Sequence, residues 1–219
     1  LARDLARFWS YAQDLTSQRQ QSPRDDFVSN LVHRTHGNEP ILSLQEVSTI
    51  VFGLLLAGHE TTTNLLGNAF RRILEAQDAW KALVSQKEII PNAIEEVLRF
   101  DSSVITWRRK TTQAVEIGGI EVPARADLLL LIGSANRDPS VFVHPDTFDI
   151  YRHNAKAHLS FGHGPHLCLG APLARLEVRV ALEELVRHLP SLRLSDGQTF
   201  TYPPNVSFRG PRSLLVEWG

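Results

Sequence analysis

A single cysteine, Cys168, closes the segment Phe161-Gly162-His163-Gly164-Pro165-His166-Leu167-Cys168-Leu169-Gly170, directly before a helical pattern that runs to His188. Glycines in such a loop let the backbone take positive φ and come close to a flat ligand. Loop amides can point at the sulfur, and the amino-terminal end of the following helix favours thiolate over thiol. These are the needs of a sulfur that holds a metal through one strong bond. A free cysteine more often ends as a small buried hydrophobe. The glycines, Phe161 and His166 at these spacings weigh the balance toward ligation. One cysteine leaves no room for an internal disulfide or a multi-thiolate zinc site. A reducing, cytoplasmic setting is the natural expectation.

Two further groupings carry polar chemistry on helical patterns. Ala57-Gly58-His59-Glu60-Thr61-Thr62 puts an acid and hydroxyls in an otherwise apolar run. Burying them is costly unless they are hydrogen-bonded. A threonine there can loosen the backbone ladder and kink the helix beside Gly58. Ala57 and Gly58 leave room for the face of a cofactor, although a water-linked polar patch would use the same residues. Glu96 and Arg99 are i and i+3, neighbours on one face; as an exposed pair they would contribute little. His59 fits helix-face spacing better than ligation, and His36, His144, His153 and His163 show no ligand spacing.

The ten-residue segment ending at Gly170 resembles F-G-x-G-x-H-x-C-x-G, the haem-binding signature of the cytochrome P-450 superfamily of haem-thiolate monooxygenases. Three other segments fall in that family's order: Ala57 to Thr62 resembles its oxygen-activation motif, Glu96 to Arg99 matches E-x-x-R, and Phe148-Asp149-Ile150-Tyr151-Arg152 resembles its meander. The soluble bacterial branch fits best. The resemblance implies a mainly α fold, with a long central buried helix, an ExxR helix, a meander, a cysteine loop with its following helix, and small peripheral β-hairpins. It makes Cys168 the axial ligand of haem b, with Phe161, Gly162, His166, Gly170, Ala57 and Gly58 around the cofactor. It gives Thr61 and Glu60 the relay of protons to dioxygen. Glu96, Arg99 and Arg152 take a buried structural role. Arg109, ten residues before Gly119, matches an arginine that pairs with a haem propionate; Arg108 is its immediate competitor, because a one-residue slip on a strand reverses the face.

The implied reaction inserts one oxygen atom of dioxygen into a small organic substrate. Its electrons would come from a ferredoxin or flavodoxin with its reductase, or from a reductase fused outside these residues. A peroxide-driven peroxygenase and a non-catalytic haem-binding scaffold are the alternatives. Glu60-Thr61 argues against the first, since a peroxide route needs no such relay. By the family's alignment residues 1–219 begin near the seventh helix, as the carboxyl-terminal haem-binding portion of a single domain whose amino-terminal half is absent. The lack of any methionine and a mid-helix texture at the first residues agree with that expectation.

The elements that must position these groups are mostly helical. Apolar residues at a 3.6-residue period predict a helix from Leu1 to Gln20. Asp25 or Asp26 caps a second one to His33, and Gly37 to Pro40 breaks the pattern. Ser43 and Glu46 form a capping box that opens a helix to about Ala76, ~50 Å long at ~1.5 Å per residue. Its apolar residues surround it from Val47 to Ala57, which predicts central burial. Helices follow at Asp78–Gln86, from Pro91 to Phe100, and from Leu169 to His188. Between them, Thr106–Leu131 reads as a small hairpin sheet, Asn136–Pro139 as a turn, and Phe142–Gly164 as irregular; Leu192–Trp218 is hairpin-like. Lysine plus arginine total 23 against 24 acids, so the balance gives no electrostatic case for nucleic acid or an anionic membrane. The longest uncharged apolar stretch, Val47 to Gly58, is far short of the ~20 residues that cross a bilayer.

Overall fold

The computed structural model describes residues 2–219, and the chain divides into two compact units, 1–60 and 61–219. One helix, α3 (Leu44–Glu75), belongs to both. Of the expected first helix, Leu1 lies outside the described residues.

In the first unit α1 spans Ala2–Gln21 and α2 spans Phe27–Val32. Asp26 caps α2, its carboxylate accepting from the Ser29 amide at 2.8 Å, and Arg19 holds it from α1 at 2.5 Å. β1 (Thr35–His36) and β2 (Glu39–Pro40) make a two-stranded hairpin where the sequence suggested only a break. The expected capping box is present: the Ser43 amide and hydroxyl both donate to Glu46 at 2.8 Å, and the Glu46 amide donates back to the Ser43 hydroxyl at 3.3 Å. Ala12, Val32, Val47 and Val51 form this unit's core. Phe52 closes it with its ring centroid 5.5 Å from both Phe8 and Trp9.

The second unit gathers the remainder of α3 with α4 (Gln77–Ser85), α5 (Ile90–Phe100) and α7 (Ala171–His188). Leu65, Ile73, Trp80, Ile94, Leu98 and Leu182 are among the residues of its core. α5 is covered all round: everything from Ala93 to Arg99 is buried, two acids and an arginine included. α7 starts at Ala171 because Pro172 suits the first turn, which leaves Leu169 and Gly170 to the loop. The 106–131 region is a nested pair. β3 (Trp107–Lys110) and β6 (Asp127–Leu130) pair antiparallel, and β4 (Val115–Ile117) with β5 (Ile120–Val122) forms the tip. Gly118 and Gly119 make that tip's turn at φ 59° and 79°. A single-turn helix, α6 (Ile132–Ala135), follows unforeseen. β7 (Arg193–Leu194) and β8 (Val216–Glu217) pair in the tail.

The expected central burial of α3 holds only in part. Val47, Val51 and Leu65 are buried, whereas Leu54, Leu55 and Leu56 are 38%, 41% and 45% exposed. Glu60 is also exposed, so it carries no burial cost, and Thr61 is half-buried. Nor do these residues interrupt α3, which stays α-helical throughout.

Candidate functional site

Glu96 and Arg99 have no exposed side-chain surface, and their i,i+3 spacing lets them pair bidentately at 2.7 and 2.8 Å. Arg152 joins from the meander, its Nε donating to both Glu96 oxygens at 3.2 and 3.1 Å. The Asp149 amide adds a fourth donor at 2.9 Å. Two guanidiniums on one carboxylate leave a buried positive excess, and backbone oxygens absorb it. Arg99 donates to the carbonyls of Asn136, Pro145 and Thr147, and Arg152 to those of Val143, His144 and Thr147. The irregular meander therefore has a definite cause. Its carbonyls, with no helix or strand to satisfy them, are wrapped round two planar cations.

A second buried carboxylate, which the sequence reading missed, sits one residue earlier. Glu95 accepts from Arg175 of α7 at 2.6 and 2.9 Å and from His158 at 3.0 Å. Burial pushes its carboxyl up, but the hydrogen bonds from His158 and Arg175 outweigh this and bring it from 4.5 to about 2. Two adjacent acids on a helix with no solvent face were the available signal, since each needs its own cation. Asn136 ties in the same limb, donating to the Ser160 hydroxyl at 2.8 Å and accepting from the Leu159 amide at 2.7 Å.

These contacts support the cysteine loop. Gly162 and Gly164 take φ of 76° and 74°, which a β-carbon would strain. A 3-10 turn covers Gly164–His166. The Cys168 amide donates to the Phe161 carbonyl at 2.9 Å and closes the loop. Arg175 lies over the Phe161 ring, 4.6 Å from its centroid. Cys168 itself is exposed, between Leu167 and Leu169, the latter 82% exposed. His166 is exposed on the same loop, and a β-carbon on Gly170 would stand 3.9 Å from the Cys168 sulfur, an ordinary contact. Gly170 is thus not required by sterics at that point.

The structure brings Phe161, Gly162, His166, Cys168 and Gly170 into one loop, and Glu96, Arg99 and Arg152 into one cluster beside it in the second unit. Thr61 opens that unit on α3, while Ala57, Gly58 and Glu60 lie on the same helix in the first. Arg109 is exposed on β3, donating to the Arg108 carbonyl at 2.9 Å. The register sets Arg109 opposite Leu128 and Trp107 opposite Leu130, and puts Arg108 with Leu129 on the other face.

A family model described as Cytochrome P450 matches residues 6–207. The chain belongs to the cytochrome P450 family. This P450 is 37% identical to the biotin biosynthesis cytochrome P450 of Bacillus subtilis, over 95% of the chain and 52% of that protein. It is equally 37% identical to the steroid C26-monooxygenase of Mycolicibacterium smegmatis, over 97% of the chain and 52% of that protein. Among solved structures it is similar to cytochrome P450 CREJ in complex with (4-ethylphenyl) dihydrogen phosphate. The TM-score is 0.93 at 39% identity, covering 97% of this chain and 53% of the other. The chain spans about half the length of the curated relatives it matches.

Haem b is the cofactor of this family, and the residues of this P450 fit it. The exposed Cys168 stands on a loop shaped by two positive-φ glycines, leucines flank it on both sides, and α7 begins three residues further on. Among the described residues no helix is long and apolar enough to cross a membrane.

Proposed function

We propose that this P450 forms the carboxyl-terminal haem-binding portion of a haem-thiolate monooxygenase. Its reaction is R–H + O2 + 2 e− + 2 H+ → R–OH + H2O, with R–H a small organic compound. The observation that carries the reading is Cys168, exposed on a loop whose shape is fixed by the Phe161 carbonyl and two positive-φ glycines.

A thiolate ligand gives the haem its capacity for O–O cleavage. The chain's own residues supply the setting. Glu96, Arg99 and Arg152 keep the meander in place beside the loop. Thr61 and Glu60 pass protons from solvent, which Glu60 reaches through its exposed carboxylate. Arg109 and His166 offer cations or donors to the carboxylates of the cofactor. The electrons come from outside these residues, since one cysteine cannot hold an iron–sulfur cluster. A ferredoxin or flavodoxin with its reductase, or a fused reductase, fills that role.

Turnover separates this reading from its rivals. The haem-loaded protein, given a reducing system and dioxygen, should oxidise organic substrates with one labelled oxygen atom from O2 in the product. Oxidation with peroxide alone, and none with O2 and electrons, would point to a peroxygenase. Haem binding without either would leave a scaffold.

A further inference from the structure

Glu95 and Arg175 have no part in the reaction as proposed, yet they are built into the support of the sulfur. Glu95 is 4% exposed and sits on α5. It locks the Arg175 guanidinium bidentately, which holds that plane 4.6 Å from the Phe161 ring centroid. Phe161 in turn accepts the Cys168 amide. The Ser160 amide donates to His158 Nδ1 at 3.1 Å, so the ring proton sits on Nε2 and goes to Glu95. Arg175 therefore supplies the positive charge that matches Glu95. The Arg175 guanidinium is itself held above its usual range, chiefly by Glu95, with burial opposing and Cys168 adding a smaller pull.

We propose that Glu95 is a positioning residue that pins and neutralises Arg175 against the Phe161 ring of the Cys168 loop, and thereby sets the reduction potential of the haem. The inference rests on Cys168 being the ligand. A bare cation near the sulfur stabilises negative charge there, weakens its donation to iron and favours the state with one more electron. A bare carboxylate does the reverse. Arg175 keeps 37% of its side chain exposed, so solvent screens part of its charge and the effect on the haem is modest.

The experiment is a spectroelectrochemical titration of the haem-loaded protein and its variants. Glu95→Gln should raise the potential and Arg175→Gln should lower it. Each should shift the one-electron equilibrium about threefold to tenfold, tenfold being ~59 mV. The double variant should return near wild type, and Arg175→Lys, which keeps the charge, should stay there. A purely structural clamp would move both single variants the same way, and that result, or no shift in either, overturns the proposal. If Glu95→Gln fails to take up haem, the contrast between Arg175→Gln and Arg175→Lys still decides it. A wild-type protein whose ferrous carbon monoxide adduct lacks the thiolate-type Soret band overturns the ligand assignment, and with it this inference. Opposite-sign failure with a normal band overturns the inference alone.

Discussion

Arg152 reaches back 56 positions to place its Nε 3.1 Å from Glu96 Oε2, inside a pocket where Glu96 has no exposed surface. The contact sews the meander to α5, and it makes Glu96 the common partner of two cations. Removing one member of such a buried group leaves the others uncompensated, at ~3–5 kcal/mol. A domain has only ~5–15 kcal/mol in hand. Arg99→Ala or Glu96→Ala should therefore abolish haem uptake and collapse the cooperative melt instead of slowing turnover. A haem-loaded Arg99→Ala protein with an unchanged melting temperature would reduce the cluster to an ordinary ion pair.

Glu95 gives a pH dependence of definite sign. Its carboxyl is at about 2 in the folded chain against 4.5 ordinarily. A depressed carboxyl stabilises the fold fully above the unfolded value and loses that contribution as pH falls through the folded one. The window is thus pH 4.5 down to about 2, and the contribution is about 3 kcal/mol. Glu95→Gln should be less stable at neutral pH and should flatten the acid limb in that window. Urea denaturation at a series of pH values reads both. An acid limb identical to wild type would deny Glu95 this role.

Two interior leucines of α3 should respond differently to truncation. Leu65 is 1% exposed and Leu55 41% exposed. Leu65→Ala should cost ~2–5 kcal/mol as a core cavity, and Leu55→Ala within ~0.5 kcal/mol in these residues alone. Chemical denaturation of the two variants side by side provides the comparison; equal losses would mean that Leu55 is covered.

Thr61→Ala should leave haem content intact while product formation falls ~10²-fold, the low end of what a positioned proton-transfer group supplies. Electron consumption should continue and appear as peroxide. Wild-type coupling in Thr61→Ala would remove Thr61 from the proton path.

The motifs were legible because each fixes local chemistry in a short span. Ser43 and Glu46 announced the start of α3 through a cap, and Glu96 and Arg99 announced an ion pair through helical spacing. What the sequence left dark depends on distant partners. The meander has no periodicity, since the carbonyls of Val143 and Thr147 are satisfied by guanidiniums and not by neighbours in a ladder. Glu95 was readable in principle from its place on a helix without a solvent face, but its partners His158 and Arg175 lie 63 and 80 residues away. The run of leucines from 54 to 56 says that these side chains suit an apolar surrounding; it does not say what supplies one. The glycine-rich turn before α7 was readable from its residues, while the Phe161–Cys168 closure that shapes it was not.

The most direct measurement addresses Cys168. Reduced, haem-reconstituted protein should give, with carbon monoxide, the red-shifted Soret band of a thiolate-ligated haem, and Cys168→Ala should lose that band while the Glu96 cluster keeps the chain folded. A band that is unchanged in Cys168→Ala would contradict the account.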